Sequence, residues 1–280
     1  MPSAISTNPV ILRVPGFLHS AQLYVHNDRD TVISPVLLRD QCWEPLESEV
    51  LCRALKPGDA VLDVGANIGY FTMLSALSVG DGGRVWAFEP EPFNVDLLQR
   101  NVVLNDVHQV EIVAAALGDH AGEMPLFLSS HNAGDHSLTA AADRDAVVVN
   151  VMRGDDCLPA DIIVQLIKID VQGAEPAVLA GLSAVIERSL PDVRLMIEFC
   201  PQAMDRYAPN SADQLLVLLR RWDLPIYVID HWRNALVETT VAYLNDWLRA
   251  CRAESDDEGF FNLLIGEPPE GIRRFTVCGC

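Results

Sequence analysis

Apolar and polar positions along this chain alternate between short strand-length runs and longer helix-length runs. Ala60–Val64 is a compact apolar run, and a helix-length apolar stretch follows over Tyr70–Leu77. Arg84–Phe88 predicts a second strand, Pro92–Asn105 a helix and Val110–Ala115 a third strand. A hairpin-like segment at Glu123–Leu128 precedes the polar stretch 129–146, which reads as a substrate loop, and then a short strand at Val147–Met152. Leu166–Asp170 is a fourth strand, apolar except for Lys168 and its final acid, with a helix over Glu175–Gly181 and a fifth strand at Arg194–Phe199. The pattern closes with a helix at Ala212–Trp222, a strand at Ile226–Ile229, a helix near Val241–Arg252, an acidic loop at Glu254–Glu258 and a last strand at Phe260–Ile265. Such strand–helix alternation predicts an α/β fold, a mostly parallel sheet with helices on both faces. Before it, Glu47–Leu55 reads as a helix ended by Lys56-Pro57-Gly58. Residues 1–47 carry turn signals and short apolar runs, Ile11–Val14 and Ala21–Val25, and predict a small β-rich cap ahead of a main domain over 48–280.

The most informative local feature is the junction Asp63-Val-Gly-Ala-Asn-Ile-Gly69, which joins the first strand to its helix. The second strand ends at Glu89, about 20 residues past this glycine loop, where an acid can accept hydrogen bonds from ribose hydroxyls. A dinucleotide site needs G-x-G-x-x-G, so that a pyrophosphate can lie against the helix N-terminus. Here the glycines are Gly65 and Gly69, and Asp63 precedes them. A carboxylate at that point repels a pyrophosphate and suits a ligand that carries an ammonium group, such as the methionyl amine of S-adenosylmethionine. Asp63, Gly65, Ala66, Asn67 and Gly69 are the expected cradle for the methionine part. The adenine is expected beyond the third strand near Ala116, Leu117 and Asp119. Asn67 also reads as a turn residue tolerant of unusual φ, and Asn101 and Asn105 as helix C-terminal residues.

Composition narrows the partners. The 280 residues carry a formal net charge of −19 and are 50% hydrophobic. A nucleic acid is not expected as partner, because binding one needs a basic footprint. No N-terminal apolar leader and no apolar run of about 18 residues stand out, which points to a soluble, cytoplasmic protein without membrane attachment. The seven cysteines are scattered and odd in number, which suits reduced thiols. Cys278-Gly-Cys280 reads as a terminal tail.

The blocks Leu62–Thr72, Gly83–Pro92, Asn101–Asn105, Ala116–Asp119 and Ile167–Glu175 resemble the FkbM-type S-adenosylmethionine-dependent methyltransferases. The resemblance covers roughly residues 40–200. It implies a class I methyltransferase (Rossmann-like) fold, with a seven-stranded sheet and an antiparallel last strand. It also implies methyl transfer to a hydroxyl oxygen of a natural product or sugar. The family's usual fourth-strand block reads Asp-Val-Glu-Gly, and Gln172 stands here in place of the Glu.

Chemistry is expected at the strand ends. Asp170 lies where open α/β sheets bind their ligands. It reads as the base for an acceptor hydroxyl, as a metal ligand, or as a helix-capping Asp. Asp170, Glu175 and Glu198 together read as a site for a divalent metal such as magnesium, or as a pocket for a substrate amine. His131 and His136, in the polar loop, are candidate general bases. His231, next to Trp232 after a predicted strand, is a similar candidate, and Trp43 and Glu44 read as closing over the cofactor. The expected partner is a small-molecule acceptor, with homodimerisation left open. N-methylation by the same cofactor site, a nicotinamide-dependent oxidoreductase and a non-catalytic binding protein remain alternatives.

Overall fold

The structure is a computed structural model that describes residues 5–253 and 259–276. The acidic loop Glu254–Glu258 and the Cys278–Cys280 tail lie outside the described residues. The elements are β1 (Val10–Ile11), β2 (Gln22–Leu23), α1 (Ile33–Asp40), α2 (Pro45–Ala54), β3 (Ala60–Val64), α3 (Tyr70–Val79), β4 (Arg84–Phe88), α4 (Pro92–Leu104), β5 (Val110–Val113), β6 (Ala116–Leu117), β7 (Gly122–Phe127), β8 (Ala146–Met152), α5 (Gly154–Cys157), β9 (Leu166–Ile169), α6 (Glu175–Gly181), α7 (Ser183–Ser189), β10 (Arg194–Phe199), α8 (Pro201–Tyr207), α9 (Ser211–Trp222), β11 (Ile226–Asp230), β12 (Ala235–Thr239), α10 (Val241–Ala253), β13 (Phe261–Ile265) and β14 (Arg274–Thr276).

The main sheet runs β14-β12-β11-β13-β10-β9-β3-β4-β5. β5, β4, β3, β9 and β10 are mutually parallel, and β13 is antiparallel to both β10 and β11. From β5 to β11 this is the sheet of a class I methyltransferase fold, with the antiparallel strand inserted beside β10. The seven expected strands are present, and two more extend the edge. The chain turns back after β11 through Asn234, which takes a positive φ, and β12 pairs along β11. β14 then adds in parallel to β12. The extra strand was hard to read in the sequence because Ala235–Thr239 turns polar after three residues.

Strand periodicity of two sorts the core onto the two faces of the sheet. Val61, Val85, Leu166, Met196 and Leu264 face one cluster, covered by α2, α3 and the N-terminal segment. Leu62, Val64, Trp86, Phe88, Ile167, Ile169, Leu195 and Ile197 face the other, covered by α6, α7, α9 and α10. Asp63 and Lys168 share the first face by the same alternation, opposite each other across the β3–β9 ladder.

The N-terminal segment has less strand than expected. β1 and β2 are two residues each, and α1 follows. Asp30 starts that helix: its carboxylate accepts from the backbone N–H of Val32, Ile33 and Ser34, which offsets the unpaired donors of a first turn. Asn101 and Asn105 do more than end α4. Asn101 exchanges two hydrogen bonds with the backbone of Tyr24, and Asn105 two with Gln22. The two side chains fasten β2 along α4.

The order of the parallel strands reverses between β3 and β9, so the carboxyl ends of these two strands flank the topological switch point. There the loops after both strands meet at Gly65. A Cβ on Gly65 would lie 1.9 Å from the carbonyl oxygen of Asp170, and its φ is +83°. Gly65→Ala is therefore expected to destabilise the fold by more than about 2 kcal/mol. Urea unfolding, followed by the fluorescence of the buried Trp86, checks it.

Candidate functional site

The cavity at the switch point measures about 260 Å³. Its floor is the β3–α3 turn, Val64–Ile68, together with Phe88, Glu89 and Pro90 after β4. Ala116, Leu117 and Leu126 form an apolar side. Trp43, Glu44, Phe71, Lys168, Asp170, Gln172, Glu198 and Phe260 form the opposite, charged side.

The turn is built from positive-φ residues at Gly65, Asn67 and Gly69. The N–H groups of Gly65 and Ala66 both donate to the carbonyl of Phe88 at 3.0 Å. Asn67 gives its N–H to Glu89 Oε2 at 2.8 Å, and Glu91 gives its own to Glu89 Oε1 at 2.9 Å. Glu89 is thereby fixed on the cavity wall. Burial pushes its carboxyl up to about 7, against those two backbone donors, which pull it down. The Asn94 side chain bonds it as well. A buried carboxylate so placed, facing apolar walls, fits the ribose hydroxyls and adenine of an adenosine-type ligand.

The roof is the segment 129–139 between β7 and β8. Its Ala133 carbonyl accepts from Asn67 Nδ2 and Asn94 Nδ2. Thr31 donates its N–H and Oγ1–H to the carbonyl of His131, and Ser137 Oγ donates to the carbonyl of Gln172. The roof is thus tied to four separate parts of the chain, mainly through its backbone carbonyls.

The charged side is organised by Lys168. Its ammonium bonds Asp170 Oδ2 at 3.1 Å and lies 4.4 Å from the Phe71 ring centre. Burial alone would lower its pKa, but Asp170, Glu44 and Asp63 together raise it. The other oxygen of Asp170 accepts from Gln172 Nε2 at 2.8 Å, and the same amide reaches Glu198 Oε2 at 3.3 Å. Gln172 does this from a left-handed backbone, φ 55°. As an amide it donates to both acids, which a carboxylate at this position could not do. Glu44, at the start of α2, is pushed up to about 8 by burial and by Glu47. Glu198 is pushed up to about 9 by burial and by Asp170.

Several expected site residues prove to do other work. Asp63 does not line the cavity: Thr72 donates to its Oδ2 at 2.6 Å, and the cation it faces is Lys168. Gly69 packs against Leu98, where a Cβ would stand 2.5 Å from Cδ1, and also does not line the cavity. Asp119 lies past β6 in a solvent-facing turn and pairs with His120. His131 is exposed and stands outside the cavity. His136 lines the cavity but does not suit a general base. Its Nδ1 accepts the Ser129 N–H at 3.0 Å, so Nε2 carries the proton, and burial pulls its pKa down to about 4.

The expected metal set Asp170, Glu175 and Glu198 does not assemble. Glu175 turns both oxygens onto its own helix start, accepting from the N–H of Gly173 and of Val171. Among the described residues, no three His, Cys, Asp or Glu side chains converge on a metal position. Lys168 and Gln172 are the residues that sequence reasoning passed over. The signal was there: a lysine inside an otherwise apolar parallel strand must have acid partners.

A family profile described as Methyltransferase FkbM domain matches residues 63–226. Methyltransferase 1 of Beauveria bassiana (strain ARSEF 2860) is 28% identical over 149 residues, which cover 45% of this chain and 59% of that protein. The 31-O-demethyl-FK506 methyltransferase FkbM of Streptomyces tacrolimicus is 43% identical over 68 residues, 24% of this chain and 25% of that protein. Both matches span less than two thirds of the relative's length. Among solved structures, the methyltransferase FkbM from Methylobacillus flagellatus KT aligns with a TM-score of 0.45 at 19% identity, covering 74% of this chain and 43% of that one.

The raised carboxyls predict how stability depends on pH. Glu44, Glu89, Glu175 and Glu198 hold protons in the folded chain well above the ordinary 4.5, whereas the unfolded chain releases them there. The folded state then binds more protons at these groups, so their contribution to stability is full below 4.5 and is lost as pH rises towards about 9. Thermal melts of the ligand-free protein are expected to drop by at least a few degrees between about pH 5 and about pH 9. Glu198→Gln is expected to flatten that slope.

Proposed function

The chain belongs to the FkbM methyltransferase family, and on that premise we propose that it transfers a methyl group from S-adenosylmethionine to a hydroxyl oxygen of a small molecule. The observation that carries this reading is one cavity with two unlike ends. Glu89 and the apolar side of Ala116, Leu117 and Leu126 stand at one end, and Asp170 with its lysine and acid neighbours stands at the other.

The cofactor, when bound, supplies an activated methyl group and so the hard part of the chemistry. The chain's share is orientation and proton removal. Glu89 accepts from the ribose hydroxyls, and the Gly65–Asn67 turn provides the backbone surface beside it. Trp43, Phe71 and Phe260 shield the charged side from water. Asp170 accepts the proton of the acceptor hydroxyl, with Lys168 and Gln172 holding its two oxygens in place. Glu44 and Glu198, with carboxyls raised to about 8 and about 9, stand beside Asp170 in the same wall.

Two measurements test the assignment. Calorimetric titration is expected to give binding of S-adenosylmethionine and none of NAD, with affinity reduced at least about tenfold in Glu89→Ala. Preference for NAD would overturn the cofactor. In Asp170→Asn, turnover is expected to fall by about 10²- to 10⁴-fold while cofactor affinity changes little. Full turnover in that variant would remove Asp170 as the base. The methylated atom, read by mass spectrometry and NMR of the product, separates hydroxyl from amine acceptors.

A further inference from the structure

A second, much smaller recess opens behind the charged side of the cavity. It measures about 20 Å³, room for one water or one ammonium group. Glu44, Glu47, Lys168, Asp170, Glu198 and Asn262 line it, and four of these, Glu44, Lys168, Asp170 and Glu198, line the main cavity too. The recess therefore adjoins the charged side of the site, and Glu89 does not line it.

Glu47 distinguishes this recess from a simple group of acids. It is only 2% exposed. Its Oε1 accepts from His231 Nε2 and Asn262 Nδ2, both at 2.7 Å, while its buried Oε2 has no partner. An acceptor atom buried without a donor costs about 1–3 kcal/mol, more when charged, so a donor that fits the recess is strongly favoured there. Four carboxyl groups surround the recess. Glu47 and Asp170 face the Lys168 ammonium, already engaged by Asp170, and the His231 ring, while Glu44 and Glu198 hold protons that they can release. The recess can therefore take one more positive charge by giving up a proton. A water would supply two hydrogens and no charge. A primary ammonium supplies three hydrogens and one positive charge in the same volume.

We propose that this recess binds the protonated primary amine of the acceptor, so that the substrate is an amine-bearing alcohol held by its ammonium in the recess with its hydroxyl beside Asp170. The proposal rests on the methyltransferase reading above for the reaction, though not for the binding. An ammonium held by carboxylates has no lone pair, so it anchors the substrate and the neighbouring hydroxyl reacts. The raised carboxyls of Glu44 and Glu198 hold protons when the recess lacks a cation. Entry of an ammonium favours their ionised forms, and the protons leave to solvent.

The test is calorimetric titration with n-propylammonium and with propan-1-ol, its uncharged isostere, near pH 7.5, in two buffers of different ionisation enthalpy, with and without S-adenosylhomocysteine. The expected result is at least about tenfold tighter binding of the ammonium, with protons released. Glu47→Gln keeps an acceptor for His231 and Asn262, and Glu198→Gln keeps the shape of its side chain. Each is expected to abolish the preference, and Glu47→Gln, at a residue outside the main cavity, to leave S-adenosylhomocysteine affinity unchanged. Equal affinity for the two probes, no binding of either, or a preference that survives both substitutions overturns the proposal. Failure of S-adenosylhomocysteine to bind while the ammonium preference persists would instead overturn the methyltransferase reading and leave the recess standing.

Discussion

One buried ammonium holds the charged side of the cavity together. Lys168 comes from the middle of the sheet, where a lone charge is prohibitively costly to bury. It is tolerated because Asp63 stands across the ladder, Asp170 bonds it from the end of the same strand, and Glu44 lies at the start of a helix from another part of the chain. Those acids in turn depend on it. Without that charge, Asp63 and Asp170 would face each other's neighbours in a low-dielectric pocket with no cation inside the sheet. The lysine thus couples the β3 turn, the β9 end and the N-terminal helix α2 into one electrostatic unit.

The two ends of the cavity use burial differently. At Glu89, burial is offset by two backbone N–H donors, so the carboxyl is held in a single orientation. At Glu44, Glu47 and Glu198, burial is offset only in part, and Glu47 Oε2 keeps no donor at all. Gln172 moderates the acids on that side by donating one amide to two of them. The fully satisfied end is suited to recognising an invariant group such as a ribose. The under-satisfied end is suited to a group whose own donors complete it.

Much of this was legible in the sequence, for a physical reason. Ala60–Val64, Arg84–Phe88 and Arg194–Phe199 have the bounds their mostly apolar runs predict, because burial on both faces of a parallel sheet leaves few polar positions to blur them, and the helix Glu175–Gly181 also has its expected bounds. The glycine turn and Glu89 were legible because backbone conformation and strand-end placement are local. Asp63, His136 and Glu175 take partners, Thr72, the Ser129 N–H and the Gly173 N–H, that leave no trace in spacing, and nothing local marks Asp119 and His131 as exposed. Helix α1 was missed because it depends on one capping acid, Asp30, rather than on periodicity. The Glu47–His231 contact spans 184 positions, and no pattern along the chain announces it.

The near-contact of Gly65 with the Asp170 carbonyl welds the two central strand ends into a frame with no play. The roof segment, by contrast, hangs from that frame by a handful of side-chain ties. A protein engineer seeking a new acceptor can therefore treat the two as separate parts. Residues 129–139 and the aromatic rim at Trp43 and Phe260 can be exchanged or lengthened as a removable cover. The welded strand ends behind them act as a fixed chassis, and any library that varies Gly65 would be spent on destabilised chains.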